Sequence, residues 1–177
     1  MTLKLIMLEV GPWPMNAYIL VDEESNTSAI VDPGADAKRI LSSLEGTQVA
    51  AIMVTHGHAD HVGALDEIKS ATHAPVFMNP IDAGGFNLHF DQALQDGQLI
   101  SIGNQQLRAI HTPGHTPGQT SLDLVMGASW SATRSSLAVP AKPGPGRILR
   151  SPCRPCSRSS SPVPMRRSST PAMVPAA

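Results

Sequence analysis

Acidic residues are missing from the whole of 125–177. All 14 Asp and Glu lie before that point, beside five Lys and Arg, so 1–124 carries a net charge of −9. Residues 125–177 hold the other eight Lys and Arg, nine of the 16 prolines and a net charge of +8. The whole-chain balance of −1 hides this split. That balance points to neither a nucleic-acid binder nor an acidic tail. Cysteine is absent from 1–124, which excludes a disulfide framework there. Cys153 and Cys156 both fall in the basic segment, as a lone CxxC. No run of 18 or more apolar residues occurs, so no membrane-spanning helix is expected. The opening MTLKLIMLEVGPWPMN has one Lys and too short an apolar stretch for a signal peptide. These exclusions lead us to expect a soluble cytoplasmic domain over 1–124 and a Pro/Ser/Arg-rich, disordered tail over 125–177.

What is present in 1–124 alternates between strand and helix. Strands are expected over 3–10, 17–21, 28–31, 49–54, 75–78, 99–102, 106–111 and 120–124. The run 49–54 is continuously apolar, as in a strand buried on both faces. Asp36 is positioned to cap a helix over 37–44, which Gly46 would end. A second helix is expected over 61–72, and 79–98 reads as irregular with some helix. Strands with helices between them indicate an α/β layered fold.

The chemistry concentrates in one loop, Thr55-His56-Gly57-His58-Ala59-Asp60-His61. It follows the apolar strand, the place where α/β folds put their ligands. Three imidazoles and a carboxylate suit Zn²⁺, Fe²⁺ or Mn²⁺. Small Gly57 and Ala59 let the backbone turn so that alternate side chains converge. His56 and His58 can face one metal, and Asp60 and His61 a second, as in two-metal hydrolases. A second segment, His111-Thr112-Pro113-Gly114-His115-Thr116-Pro117-Gly118, has two Pro-Gly turns around His115. His115 is the candidate third ligand of the first metal. His111 is better placed as a structural residue on the strand, and His73 and His89 stand alone.

THGHADH followed by HTPGHTPG resembles the metallo-β-lactamase-fold hydrolases, and within them the glyoxalase II-like, or hydroxyacylglutathione hydrolase-like, group. Asn16-Ala17-Tyr18 and Val31-Asp32-Pro33-Gly34 resemble that group's N-terminal pattern. The resemblance covers about 1–124 and implies an αββα sandwich. It implies that His56, His58 and His115 hold one Zn²⁺ ion and that Asp60 and His61 serve a second, with Fe or Mn as alternatives. It implies that Asp32 is a buried carboxylate supporting a ligand loop. The implied reaction is hydrolysis of a small-molecule thioester such as an acylglutathione by metal-bound hydroxide, with Asp60 orienting it or taking its proton. Lactone or β-lactam opening, phosphodiester cleavage and persulfide oxidation belong to the same scaffold.

The family also has a bridging Asp in a Gly-Asp step and a last His in a Pro-Gly-His-Gly step. Neither occurs after Leu124. Reading each codon of the tail one base earlier permits both: Gly-Asp-Ala-Leu-Phe-Ala-Gly at 132–138 and Pro-Gly-His-Gly-Pro at 171–175. The sequence therefore suggests a slipped reading frame near 124–125. The alternatives are a natural basic tail that binds something anionic, or an inactive truncated homologue that binds metal weakly. Such a chain would leave apolar surface on one sheet uncovered.

Overall fold

The structure is a computed structural model that describes residues 3–13, 15–44, 46–125 and 136–137. The first strands form a meander: β1 (Leu3–Val10), β2 (Met15–Asp22) and β3 (Thr27–Val31). A parallel part follows: α1 (Ala37–Ser42), β4 (Gln48–Val54), α2 (Ala59–Val62), α3 (Leu65–Thr72), β5 (Val76–Met78), α4 (Pro80–Phe86) and β6 (Gln92–Ala93). The chain then turns to a second sheet: β7 (Leu99–Ile102), β8 (Gln105–His111), β9 (Thr120–Val125) and β10 (Ser136–Leu137).

The first sheet has the order β1-β2-β3-β4-β5-β6 and the second β10-β9-β8-β7. In the first, β1 to β3 pair antiparallel and β3 to β6 pair parallel. Alternation along each strand splits the apolar residues between two cores. Ile19, Ile30, Ile52 and Val54 join Ile40, Leu44, Leu65 and Ile68 under the helices. Leu20, Val31, Met53 and Phe77 face Ile100, Ile102, Leu107 and Leu122 of the second sheet. β4 feeds both cores, which is why its run is apolar without a break. Helices, first sheet and second sheet thus stack as three layers of the αββα sandwich. Among the described residues no helix lies on the outer face of the second sheet.

Exposed apolar side chains sit mostly elsewhere than on that outer face. There Ser101, Gln106 and Arg108 are exposed, with Leu99 as the apolar member. Leu5 and Met7 on β1 are 46% and 62% exposed. They pair with Leu20 and Tyr18 and so share the face turned towards the second core.

Several local expectations need correction. Asp36 precedes α1 but has a left-handed φ of 54° and makes no side-chain cap; its carboxylate accepts from Gly11 N instead (3.0 Å). That helix ends at Ser42 rather than at 44. The single helix expected over 61–72 is two, broken at Gly63-Ala64. At the break Ala64 N donates to the carbonyl of Pro33 at 3.0 Å, and a Cβ on Gly63 would run into the carbonyl of Gly34. The segment 79–98, in contrast, is irregular with some helix as expected: it holds α4, capped by Asn79 with Pro80 in its first turn. Of the tail, Val125 ends β9 and Ser136–Leu137 extend the second sheet opposite Leu122 and Asp123. The expected domain boundary at 124/125, the disorder and Cys153 and Cys156 otherwise lie outside the described residues.

Candidate metal centre

Thr55 and His56 leave the C-terminal end of β4, beside the end of β3. Asp32 directly follows β3, with a left-handed φ of 51° and no exposure. A buried, non-glycine residue in that region marks a constrained position. Its carboxylate accepts the backbone N–H of Thr55 at 2.7 Å and the Thr55 hydroxyl at 2.6 Å. The hydroxyl has one proton and gives it to Asp32. At 3.1 Å from His56 Nδ1, it therefore accepts from that nitrogen. The tautomer of His56 follows: Nδ1 carries the hydrogen and Nε2 the lone pair. That Nε2 is buried and has no hydrogen-bond partner. Burial and the neighbouring His61 imidazole push the His56 pKa down to about 4. The ring is thus neutral at neutral pH, the form that binds metal.

His115 arrives from the second sheet. Its loop joins β8 to β9 and is pinned at both ends. His111 Nε2 lies 2.9 Å from the carbonyl of Pro117, and Thr120 N donates to the carbonyl of Thr55 at 2.9 Å. His111 is thus a structural residue of the turn, as its strand position suggested. His115 Nε2 lies 3.0 Å from His58 Nδ1. His56, His58 and His115 each offer a ligand atom, and these atoms all fall within 4.8 Å of one another.

The third element at the site is α4, which lies in the segment read as irregular with some helix; the sequence reading did not single out its Asp82. Asp82, 1% exposed, accepts from Thr116 Oγ1 (2.6 Å), Gly118 N (2.6 Å) and Gly57 N (3.2 Å). Phe86 of the same helix packs its ring edge-on to His58, with centroids 5.1 Å apart. Gly57 has no room for a side chain because a Cβ would meet the Phe86 ring. The signal for α4 was present as Asn79-Pro80, a capping residue followed by proline at the first helical position.

Asp60 and His61 are not drawn into the three-His group. Asp60 is exposed at the start of α2. His61 is buried, packs against His56 with ring centroids 3.8 Å apart and planes tilted by 55°, and puts Nδ1 3.1 Å from Asp32 Oδ2 without an aligned hydrogen bond. Among the described residues the two join no group of three metal-ligating side chains. Of the other histidines, His73 ends α3 in a left-handed turn and His89 is exposed.

Beside Asp60 opens a cleft of about 200 Å³ lined by Val10, Pro12, Trp13, Met15 and Ala59. Trp13, at the tip of the β1–β2 hairpin, is 76% exposed.

Residues 10–127 match the Metallo-beta-lactamase superfamily. The chain belongs to that superfamily. Within the metallo-beta-lactamase superfamily, the chain is 37% identical over 111 residues to the probable polyketide biosynthesis zinc-dependent hydrolase PksB of Bacillus subtilis, covering 60% of this chain and 49% of that protein. It is 38% identical over 101 residues to a hydroxyacylglutathione hydrolase of Rhodopseudomonas palustris, covering 56% and 39%. The chain thus spans about half or less of the length of these two relatives. Among solved structures, the BLEG-1 B3 metallo-beta-lactamase superposes with a TM-score of 0.60 at 28% identity, covering 68% of this chain and 67% of that one.

The donor set fits a divalent metal. Three imidazoles converge, one with an orphaned, buried nitrogen whose tautomer is fixed from behind. Three His with an open fourth position is the pattern of hydrolytic zinc sites. No helix among the described residues is long and apolar enough to cross a membrane.

Proposed function

We propose that this chain carries the metal-binding half of a hydrolase for thioesters, with acylglutathiones as the substrate class. The observation that carries the reading is the convergence of His56, His58 and His115; a cleft edged by Asp60 opens two residues along the chain from His58. The likeness to a hydroxyacylglutathione hydrolase supports the choice of thioester. A bound divalent ion, Zn²⁺ in the first instance with Fe or Mn as alternatives, supplies Lewis acidity and lowers the pKa of coordinated water. The chain's own residues do the rest. His56, His58 and His115 hold the ion. Asp60 and His61 serve a second ion once further ligands are supplied, and the Asp60 carboxylate accepts the proton of the attacking water. Val10, Trp13 and Met15 receive the apolar part of the acyl group and shield it from water.

A second reading rests on the missing acids and histidines after Leu124. In that reading the chain holds at most one ion and turns over little substrate. One experiment separates the two. The chain as written and a version with the reading frame restored after codon 124 are loaded with zinc and given S-lactoylglutathione, a lactone and a β-lactam. Thioester turnover that exceeds the other two and disappears in His115→Ala supports the hydrolase reading. Faster opening of the β-lactam overturns the substrate class. Turnover only with the restored frame assigns the chain as written to the second reading. Sequencing codons 120–130 at the source then decides which protein the organism makes.

A further inference from the structure

The three ligand histidines come from two sheets, so something must fix the distance between their loops. Hydrogen bonds within each loop cannot do this. One tie is the backbone bond from Thr120 N to the carbonyl of Thr55 at 2.9 Å; Asp82 is a buried side chain that bridges both loops. Its Oδ2 accepts from Gly57 N, the residue between His56 and His58, and from the Thr116 hydroxyl next to His115. Its Oδ1 accepts from Gly118 N, three residues beyond His115. The carboxylate therefore sees two donors from the His115 loop and one from the His56–His58 loop. Thr116 is 4% exposed and Asp82 1%, so water does not compete for these bonds. The backbone is shaped to the carboxylate as well: a Cβ on Gly118 would lie 2.7 Å from both Asp82 N and Asp82 Oδ1. The helix that carries Asp82 is itself fixed, since Asn79 Oδ1 accepts from Ile81 N at 3.0 Å and Pro80 stiffens the first turn.

We propose that Asp82 is a positioning residue that holds the two ligand loops in register and so sets the affinity and coordination geometry of the three-His centre. Resting on the reading of that cluster as a metal site, this adds a residue that binds no metal itself. Charge-assisted bonds to backbone N–H are short and directional, which suits a spacer better than packing alone. An amide at the same place is isosteric but turns an NH₂ towards one of three donors. It keeps the volume and loses the clamp.

The test is a titration of the full chain with Co²⁺, followed by its visible absorption, and with Zn²⁺ against a chromophoric chelator. Wild type, Asp82→Asn, Thr116→Val and His56→Ala are compared. Asp82→Asn is expected to weaken both ions about ten- to hundredfold, as orienting partners of metal ligands do. It is also expected to shift the Co²⁺ bands, which a plain loss of stability would leave in place. Thr116→Val, which removes one arm, should give a smaller change in the same direction, and it carries the test if Asp82→Asn does not fold. Wild-type affinity together with wild-type bands in Asp82→Asn, or in Thr116→Val if that variant stands alone, overturns the proposal. If wild type and His56→Ala bind equally poorly, the metal reading has failed separately. The positioning claim is then read by imidazole ¹⁵N NMR of the metal-free chain. Loss of the His58–His115 contact in Asp82→Asn, or in Thr116→Val if Asp82→Asn does not fold, supports it, and persistence refutes it.

Discussion

Replacing Thr55 by valine removes one hydroxyl and almost no volume. In the structure that hydroxyl gives its proton to Asp32 at 2.6 Å and faces His56 Nδ1 at 3.1 Å. The backbone bond from Thr55 N to Asp32 Oδ1 at 2.7 Å stays in place. Thr55→Val therefore cuts a relay without moving the loop. A charge-assisted bond in a buried setting contributes about 1.5–3 kcal/mol and a neutral one about 1 kcal/mol. We expect the metal-free protein to lose about 2–4 kcal/mol in urea unfolding followed by circular dichroism. The metal should be lost to a competing chelator at about ten- to hundredfold lower concentration, because His56 no longer has its hydrogen fixed on Nδ1. A variant whose zinc affinity stays within about twofold of wild type, and whose stability stays within about 0.5 kcal/mol, would refute the argument that Asp32 and Thr55 set the tautomer of His56.

Gly118→Ala should weaken zinc binding more than about tenfold, because its Cβ meets Asp82. Gly114→Ala, with open space around it, serves as the matched control in the same titration. Asp22 ties the end of β2 to the β7–β8 turn through Asn104 N (2.8 Å) and accepts from the Ser25 hydroxyl of the β2–β3 turn (2.7 Å), and these donors hold its carboxyl below the usual range. Its contribution to stability is thus present above the ordinary carboxylate pKa near 4 and lost as pH falls below it. Urea midpoints measured from pH 6 to pH 3 should fall less steeply at the acid end in Asp22→Asn. Ile30, with no exposure in the core under the helices, should cost about 2–5 kcal/mol when cut to alanine, read as a drop in melting temperature.

The parts of this fold that were legible in the sequence are those where a local pattern and the tertiary demand agree. The run 49–54 is apolar throughout because β4 feeds two cores at once. Of the THGHADH loop, His56 and His58 converge with His115 as their spacing suggested, while Asp60 and His61 stand outside that group. His115 was legible through the paired Pro-Gly turns that hold it. Asp36 misled for a physical reason: aspartate suits a helix cap, but it also tolerates a left-handed φ, and here a distant N–H on Gly11 won its carboxylate. The break at Gly63-Ala64 was hidden because the carbonyl that takes the Ala64 N–H, that of Pro33, is far away in sequence. Asp82 was missed because its three donors lie 25, 34 and 36 residues away, beyond any window of periodicity.

His56 and His58 follow a strand of the first sheet, and His115 follows a strand of the second. An ion gripped by all three is a rivet through the sandwich. It binds only the closed arrangement, so its supply sets how often the sheets part at that end. At a free metal concentration of about 100 times Kd, closure gains about 2.7 kcal/mol. In hydrogen-exchange terms, amides of β7, β8 and β9 should exchange as one unit that slows when zinc is added, while β2 to β4 change little. A cell short of metal would hold the same chain in a form that opens more often to proteases, so metal supply would govern the lifetime of the protein as well as its chemistry.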